Sequence, residues 1–225
     1  MDDVNRILAW MAERENPTNQ AGMARFGINA DHAYGISIAD LRPLAKKYAK
    51  QHALALELWA TEWHEARLLA ALIDDPKQVT EAQMEAWAAD FDSWDVVDQC
   101  CNKLFDKTPF AYDKALVWTS RHETFVKRAG FVLMATLAVH DKKAPDDTFV
   151  AFLSIIEREA ADNRNFVKKA VNWALRQIGK RSLRLNATAV ESAKRIQQID
   201  SKAARWIAAD ALRELTNDKT LQRIR

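Results

Sequence analysis

The stretch NFVKKAVNWALRQIGK, residues 165–180, decides the fold. Val167, Val171, Ala174, Leu175 and Ile178 recur at intervals that, at about 100° per residue, fall on one stripe of an α-helix. Trp173 points roughly 160° away from that stripe, among Phe166, Lys169, Arg176 and Lys180. A large aromatic surrounded by cations, on the side that should meet solvent or a ligand, suits a partner that is anionic and has a flat or cationic part.

The same stretch repeats along the chain. Phe166-Val167-Lys168-Lys169-Ala170 follows Phe125-Val126-Lys127-Arg128-Ala129 by 41 residues, and Ala174-Leu175-Arg176-Gln177-Ile178 precedes Ala211-Leu212-Arg213-Glu214-Leu215 by 37. Periods near 40 in helical sequence indicate HEAT-like helix pairs. One pair cannot bury its apolar face alone, so pairs are expected to stack into an α-solenoid whose inner helices line a concave surface. In this register Arg128 is the counterpart of Lys169, on the same side of its helix as Trp173 is on the later one.

Helical patterns cover about 2–14, 17–27, 37–50, 53–60, 62–74, 80–90, 93–106, 109–120, 122–140, 146–161, 165–180, 187–199 and 201–216. Pro17 suits a first helical turn, Ser37 with Asp40 forms a capping-box variant, and Asp74-Asp75-Pro76 marks a loop. No linker divides the chain, which reads as one all-α domain over residues 1–225. Five Gly and five Pro leave little turn chemistry for a β protein. No apolar run approaches the roughly 18 to 20 residues that cross a bilayer, and the N-terminus, MDDVNRILAW, starts acidic, unlike a signal peptide. A cytoplasmic protein is expected. Adjacent Cys100 and Cys101 suit a reduced, partly buried pair, and five scattered histidines lack ligand spacing, so neither metal nor cofactor is expected.

The net charge of +2 hides an asymmetry: residues 1–112 carry 11 Lys and Arg against 18 Asp and Glu, a balance of −7, whereas residues 113–225 carry 22 against 13, a balance of +9. A basic half is the footprint of a nucleic-acid surface, and equally of solvated helix faces.

A second cluster lies in DSWDVVDQCCNKLFD, residues 92–106. Its apolar stripe runs Val97, Cys100, Cys101, Leu104, with Trp94 and Asp98 together on the flank, roughly 60° and 100° from its centre. Asp95, in the first turn, complements the helix dipole. Asp98 lies deeper, where a carboxylate is costly to bury unless it is paired or used. Spacing leaves both readings open: a Trp packed on the next repeat with an Asp bound to a basic neighbour, or a functional acid.

Taken with MARFGINADHAYGISIADLRPLAKKY (23–48), FVKRAG (125–130) and FVKKAVNWALRQIGK (166–180), the DSWDVVDQC segment (92–100) resembles the AlkD-like DNA alkylation-repair glycosylases, across essentially the whole chain. The resemblance implies a HEAT-like solenoid whose concave, basic face binds duplex DNA and excises positively charged N3- and N7-alkylated purines without inserting the base into a snug pocket. It places the catalytic Asp at Asp98, the two Trp at the lesion's sugar at Trp94 and Trp173, and the active-site Arg at Arg128. An aromatic that is Tyr in family members is Phe26 here, which keeps the ring and loses the hydroxyl. Lys127, Lys168, Lys169, Arg176, Lys180 and Arg181, with Arg184, Arg205 and Arg213, are candidate phosphate contacts. Trp206 also points away from its stripe, and packing under the final segment is expected to explain it; Trp10, Trp59, Trp63, Trp87 and Trp118 are expected to pack in the core or between repeats. A monomer is the expected state. A non-catalytic HEAT-like module for damaged or branched DNA is the alternative, and a protein-binding scaffold a third, which leaves the basic half and the Trp173 face unexplained.

Overall fold

Helix starts follow the capping chemistry of the sequence. The side chains of Asp2, Asn16, Ser37, Thr80, Ser182, Ser201 and Asn217 each accept a backbone N–H from the first turn of the helix that follows. At Ser37 the box closes through the hydroxyl: Asp40 takes the Ser37 O–H at 2.6 Å while its own N–H donates back to that oxygen. A computed structural model describes residues 2–224, and among them there is no strand. The α-helices are α1 (Asp3–Ala12), α2 (Pro17–Met23), α3 (Ile38–Lys47), α4 (His52–Trp59), α5 (His64–Ile73), α6 (Glu81–Ala89), α7 (Trp94–Gln99), α8 (Ala111–Val117), α9 (Thr124–His140), α10 (Asp146–Glu159), α11 (Asn165–Gly179), α12 (Leu183–Gln197), α13 (Lys202–Leu215) and α14 (Asp218–Leu221).

Two departures from the sequence reading have local causes. The helix expected over 93–106 is α-helical only through Gln99, then widens to a π-helix over Cys100–Leu104 and tightens to a 3-10 turn over Phe105–Lys107. Its buried residues come in adjacent pairs, Val96-Val97, Cys100-Cys101 and Leu104-Phe105, every member at most 1% exposed. Pairs recurring every four residues would rotate about 40° per step on a 3.6-residue helix, and the wider turn keeps them facing one core. The cysteines are therefore fully buried rather than partly so, and both are free thiols. α12 starts at Leu183 rather than 187 because Ser182 caps it, although Leu183 itself stays exposed and contributes nothing to an apolar stripe.

Contacts divide the chain into two compact units, one ending at Thr108 and one beginning at Pro109. The charge change falls at the same place, since residues 109–112 are uncharged: the first unit carries −7 and the second +9.

In the first unit α5 packs against α3, α4, α7 and the π-helical turn. Its second residue, Glu65, is completely buried and accepts three consecutive backbone N–H groups, from Tyr34, Gly35 and Ile36, at 2.8, 2.7 and 3.0 Å. Gly35 supplies the positive φ of 77° that lets the loop turn there, and a Cβ at that position would lie 2.4 Å from the Asn16 carbonyl oxygen. Trp59 and Trp87 stack at 4.0 Å in the core of this unit, while Trp10 and Trp63 are only half-buried.

In the second unit α9, α11 and α13 pack side by side, with α10 and α12 behind them. α9 is buried from Val126 through Ala138, as expected of a helix apolar nearly all round. Gly130 lets it approach the 3-10 turn Trp118–Ser120 closely, since a Cβ there would sit 2.7 Å from the Thr119 nitrogen.

Replacing Glu65 by Gln leaves a buried N–H facing another donor, and we expect it to lower unfolding stability by about 1 to 3 kcal/mol. Thermal unfolding checks this, and an unchanged midpoint would show that the loop does not depend on that carboxylate.

Candidate functional site

In the first unit the site is built on the entry to α7. Ser93, fully buried, does not cap this helix; its Oγ accepts the Asn29 N–H at 2.9 Å, and Asn29 Nδ2 donates to Asp92 at 2.8 Å. The loop that Glu65 orders is thus pinned to the start of α7 as well. That arrangement brings the backbone carbonyl of Phe26 within 3.0 Å of the Trp94 indole N–H, which donates to it. The indole N–H is thus engaged, and the Trp94 ring is half-buried. Asp98 stands one turn further on, also half-buried. The Phe26 ring is 70% exposed, at the end of a 3-10 turn closed by Gly27 at φ 72°.

The acid beside Trp94 has a second role, in addition to complementing the helix dipole. Asp95, on the first turn of α7, bonds the Nε2 of buried His64 at 2.9 Å. Burial lowers the tendency of that imidazole to hold a proton, but the hydrogen bond and charge of Asp95, with Glu65 and Asp92 nearby, outweigh it and raise its pKa. His64 lines a polar cavity of about 340 Å³ with Asn29, Asp31, His32, Glu62, Arg67, Asp90 and Asp92. Among the described residues no three His, Cys, Asp or Glu are placed to hold a metal ion. Only the i to i+31 separation of two scattered polar residues encodes the His64–Asp95 contact, which is why no local pattern revealed it.

In the second unit, Arg128 on α9 is 6% exposed and its Nη1 donates to the Phe166 carbonyl on α11 at 2.8 Å. The rings of Phe125 and Phe166, equivalent in the repeat, lie 5.3 Å apart. Trp173 is half-buried on α11. Arg128 and Lys169 are each the fifth residue of their helix, and Asp98 is the fifth of α7.

The expected phosphate contacts divide into two kinds. Several cations have partners inside the protein. Lys127 is buried and bonds Glu159 at 2.6 Å and Asp162 at 3.0 Å. Although burial opposes it, hydrogen bonds from Arg164 and Lys127 hold the Asp162 carboxyl far below its ordinary range. Arg181 donates to the carbonyls of Ala138 and Ala144 at 2.9 and 2.8 Å and lies over the Phe149 ring. Arg176 and Lys180 both pair with Glu214, Arg184 with Asp147, Arg205 with Asp200 and Arg213 with Asp210. Lys169 is exposed and Lys168 half-buried, and neither forms an ion pair among the described residues. Trp206 is 41% exposed rather than packed under the last segment, because Ala203, Ala204, Ile207, Ala208, Ala211 and Leu215 already fill the core side of α13.

The arrangement defines a HEAT-like helical repeat protein. A solved structure with that fold superposes with a TM-score of 0.79 at 20% identity, covering 94% of this chain and 95% of its own; it is described as a new family of proteins related to the HEAT-like repeat DNA glycosylases with affinity for branched DNA structures. The profile of the family described as DNA alkylation repair enzyme matches residues 7–215, and the chain belongs to that family. No curated protein sequence matches it. Among the described residues no helix is long and apolar enough to cross a membrane.

Because its pKa is raised in the folded state, His64 contributes stability that is full below the ordinary value of 6.5 and is lost as pH rises through the raised value. Unfolding free energy measured from pH 5.5 to 8.5 should fall with pH more steeply in the wild type than in His64→Gln. Parallel curves would show that the Asp95 contact carries no proton linkage.

Proposed function

We propose that the chain is a monofunctional DNA glycosylase that releases positively charged N3- and N7-alkylated purines from duplex DNA. The observation that supports this most is the pairing on α7 of a half-buried carboxylate, Asp98, with an indole held through its N–H by the Phe26 carbonyl. A protein that only gripped phosphates would need the cations and would gain nothing from an acid facing the DNA.

The chemistry asks little of a general acid. When the bond between C1′ and the purine nitrogen breaks, its electron pair passes to a base that is already cationic, which leaves neutral. The deoxyribose carries the positive charge in an oxocarbenium-like state. Asp98 supplies a fixed negative charge to it, orients the water whose oxygen adds to C1′ and takes the proton that this water gives up. Trp94 and Trp173 present π faces to the cationic sugar, worth about 0.5 to 2 kcal/mol each depending on desolvation. The Phe166 carbonyl positions the Arg128 guanidinium, whose planar fork suits a phosphate. Lys168 and Lys169, which form no ion pair among the described residues, are the best of the remaining phosphate contacts.

Two observations favour a second reading, a non-catalytic binder of branched DNA: the superposing structure is described by that affinity, and Phe26 lacks the hydroxyl of its counterparts in the glycosylases.

Base release from a duplex with a single N7-methylguanine, under single-turnover conditions, separates the two. The glycosylase reading expects excision by the wild type and a fall of about 100- to 1,000-fold in Asp98→Asn, the range seen when one charge-stabilising group is removed, with DNA affinity held within about twofold. No release by the wild type, with salt-dependent binding intact, would establish the binder instead.

A further inference from the structure

Trp206 is the exposed aromatic that the proposed chemistry leaves unused. It is the fifth residue of α13, and it follows Lys169, the fifth of α11, by 37 residues; Lys169 in turn follows Arg128, the fifth of α9, by 41. An indole thus stands in the repeat position that carries a cation on the two preceding helices of the same layer. Packing does not require it, since the apolar residues that face the core from α13 are at most 2% exposed while Trp206 is 41% exposed. The Lys168 ammonium, from α11, lies 4.7 Å from the centre of its ring, within cation–π range. Lys169, adjacent in sequence, is exposed, and the unit to which all three belong carries the balance of +9.

We propose that Trp206, with Lys168 and Lys169, is a stacking platform for an unpaired nucleobase, and that it gives the protein a preference for DNA with bulged or branched structure over plain duplex. This rests on the DNA-binding part of the preceding reading and is independent of whether Asp98 supports excision. A base in an intact duplex has both faces covered by its neighbours. An unpaired base has a π face to give, every base has one, and an indole accepts it without regard to sequence. Its flanking phosphates bring the negative charge that Lys168 and Lys169, which form no ion pair among the described residues, attract. The carboxylates of an acidic peptide would satisfy the lysines but would bring no flat ring for the indole.

The test uses the full chain and fluorescently labelled DNA: a 20-base-pair duplex, and the same duplex with three unpaired nucleotides at its centre. The wild type should bind the bulged DNA more tightly. Trp206→Ala should lose about 5- to 150-fold on the bulged DNA, the range for one stacked base, and less than twofold on the duplex. Trp206→Phe, which keeps a ring, should recover most of that loss, and Lys168→Met should weaken both DNAs with a shallower salt dependence. Equal losses on both DNAs in Trp206→Ala, or no loss on the bulged one, would overturn the platform. A wild type that binds duplex with no preference for the bulge would overturn it while leaving the DNA reading intact. A wild type that binds neither DNA would remove both.

Discussion

The buried carboxylate of Glu65 is the contact on which the first unit's site depends. A buried charge is tolerable only when its lone pairs are filled, and here three successive N–H groups of one loop fill them. The loop could not present three donors in a row without the turn that Gly35 allows. Once that loop is fixed to α5, its Asn29 reaches Ser93 and Asp92, and the Phe26 carbonyl stands at the Trp94 indole. The orientation of a ring on α7 is therefore decided by a carboxylate on α5, through a segment with no regular structure of its own.

The second unit handles charge differently. Its excess of positive charge is not all presented outward: Lys127 and Arg181 are drawn inside, and Arg176 and Lys180 share one carboxylate. Such contacts fix helices against one another. Desolvation opposes the charge on Glu214, yet hydrogen bonds from Lys180 and Arg176 hold its carboxyl below the ordinary range, so the pairing persists at neutral pH. The cations that remain for a polyanion are fewer than a count of Lys and Arg suggests, and they stand where the helix row also places Trp206.

How far the sequence spoke can be followed residue by residue. The repeat of FVKRA as FVKKA, with its 3.6-residue stripe, was enough to expect helix pairs in series, because periodicity is a property of neighbours along the chain. The caps at Ser37 and the proline at Pro17 were legible for the same reason. The widened turn at Cys100 was not, since both cysteines fit an α-helical stripe and only the crowding of three adjacent pairs against one core distinguishes the geometries. Trp94 and Asp98 were recognisable as a pair four apart, but what holds the indole, a carbonyl 68 residues away in sequence, was not. Charge pairing was the least legible: Lys127 and Lys168 occupy equivalent places in the repeat, yet one is enclosed by two carboxylates and the other covers an indole.

The shared fifth position of α9, α11 and α13 has an evolutionary consequence. One backbone address holds a guanidinium, an ammonium and an indole in turn. In a fold made of copies, each copy can acquire its own chemistry while the helices behind it go on packing by the same rules. A protein of this kind need not build a new pocket to change what it recognises. It can exchange the side chain at one address, and the surface becomes a sequence of independently adjustable contacts rather than a single site that must change as a whole.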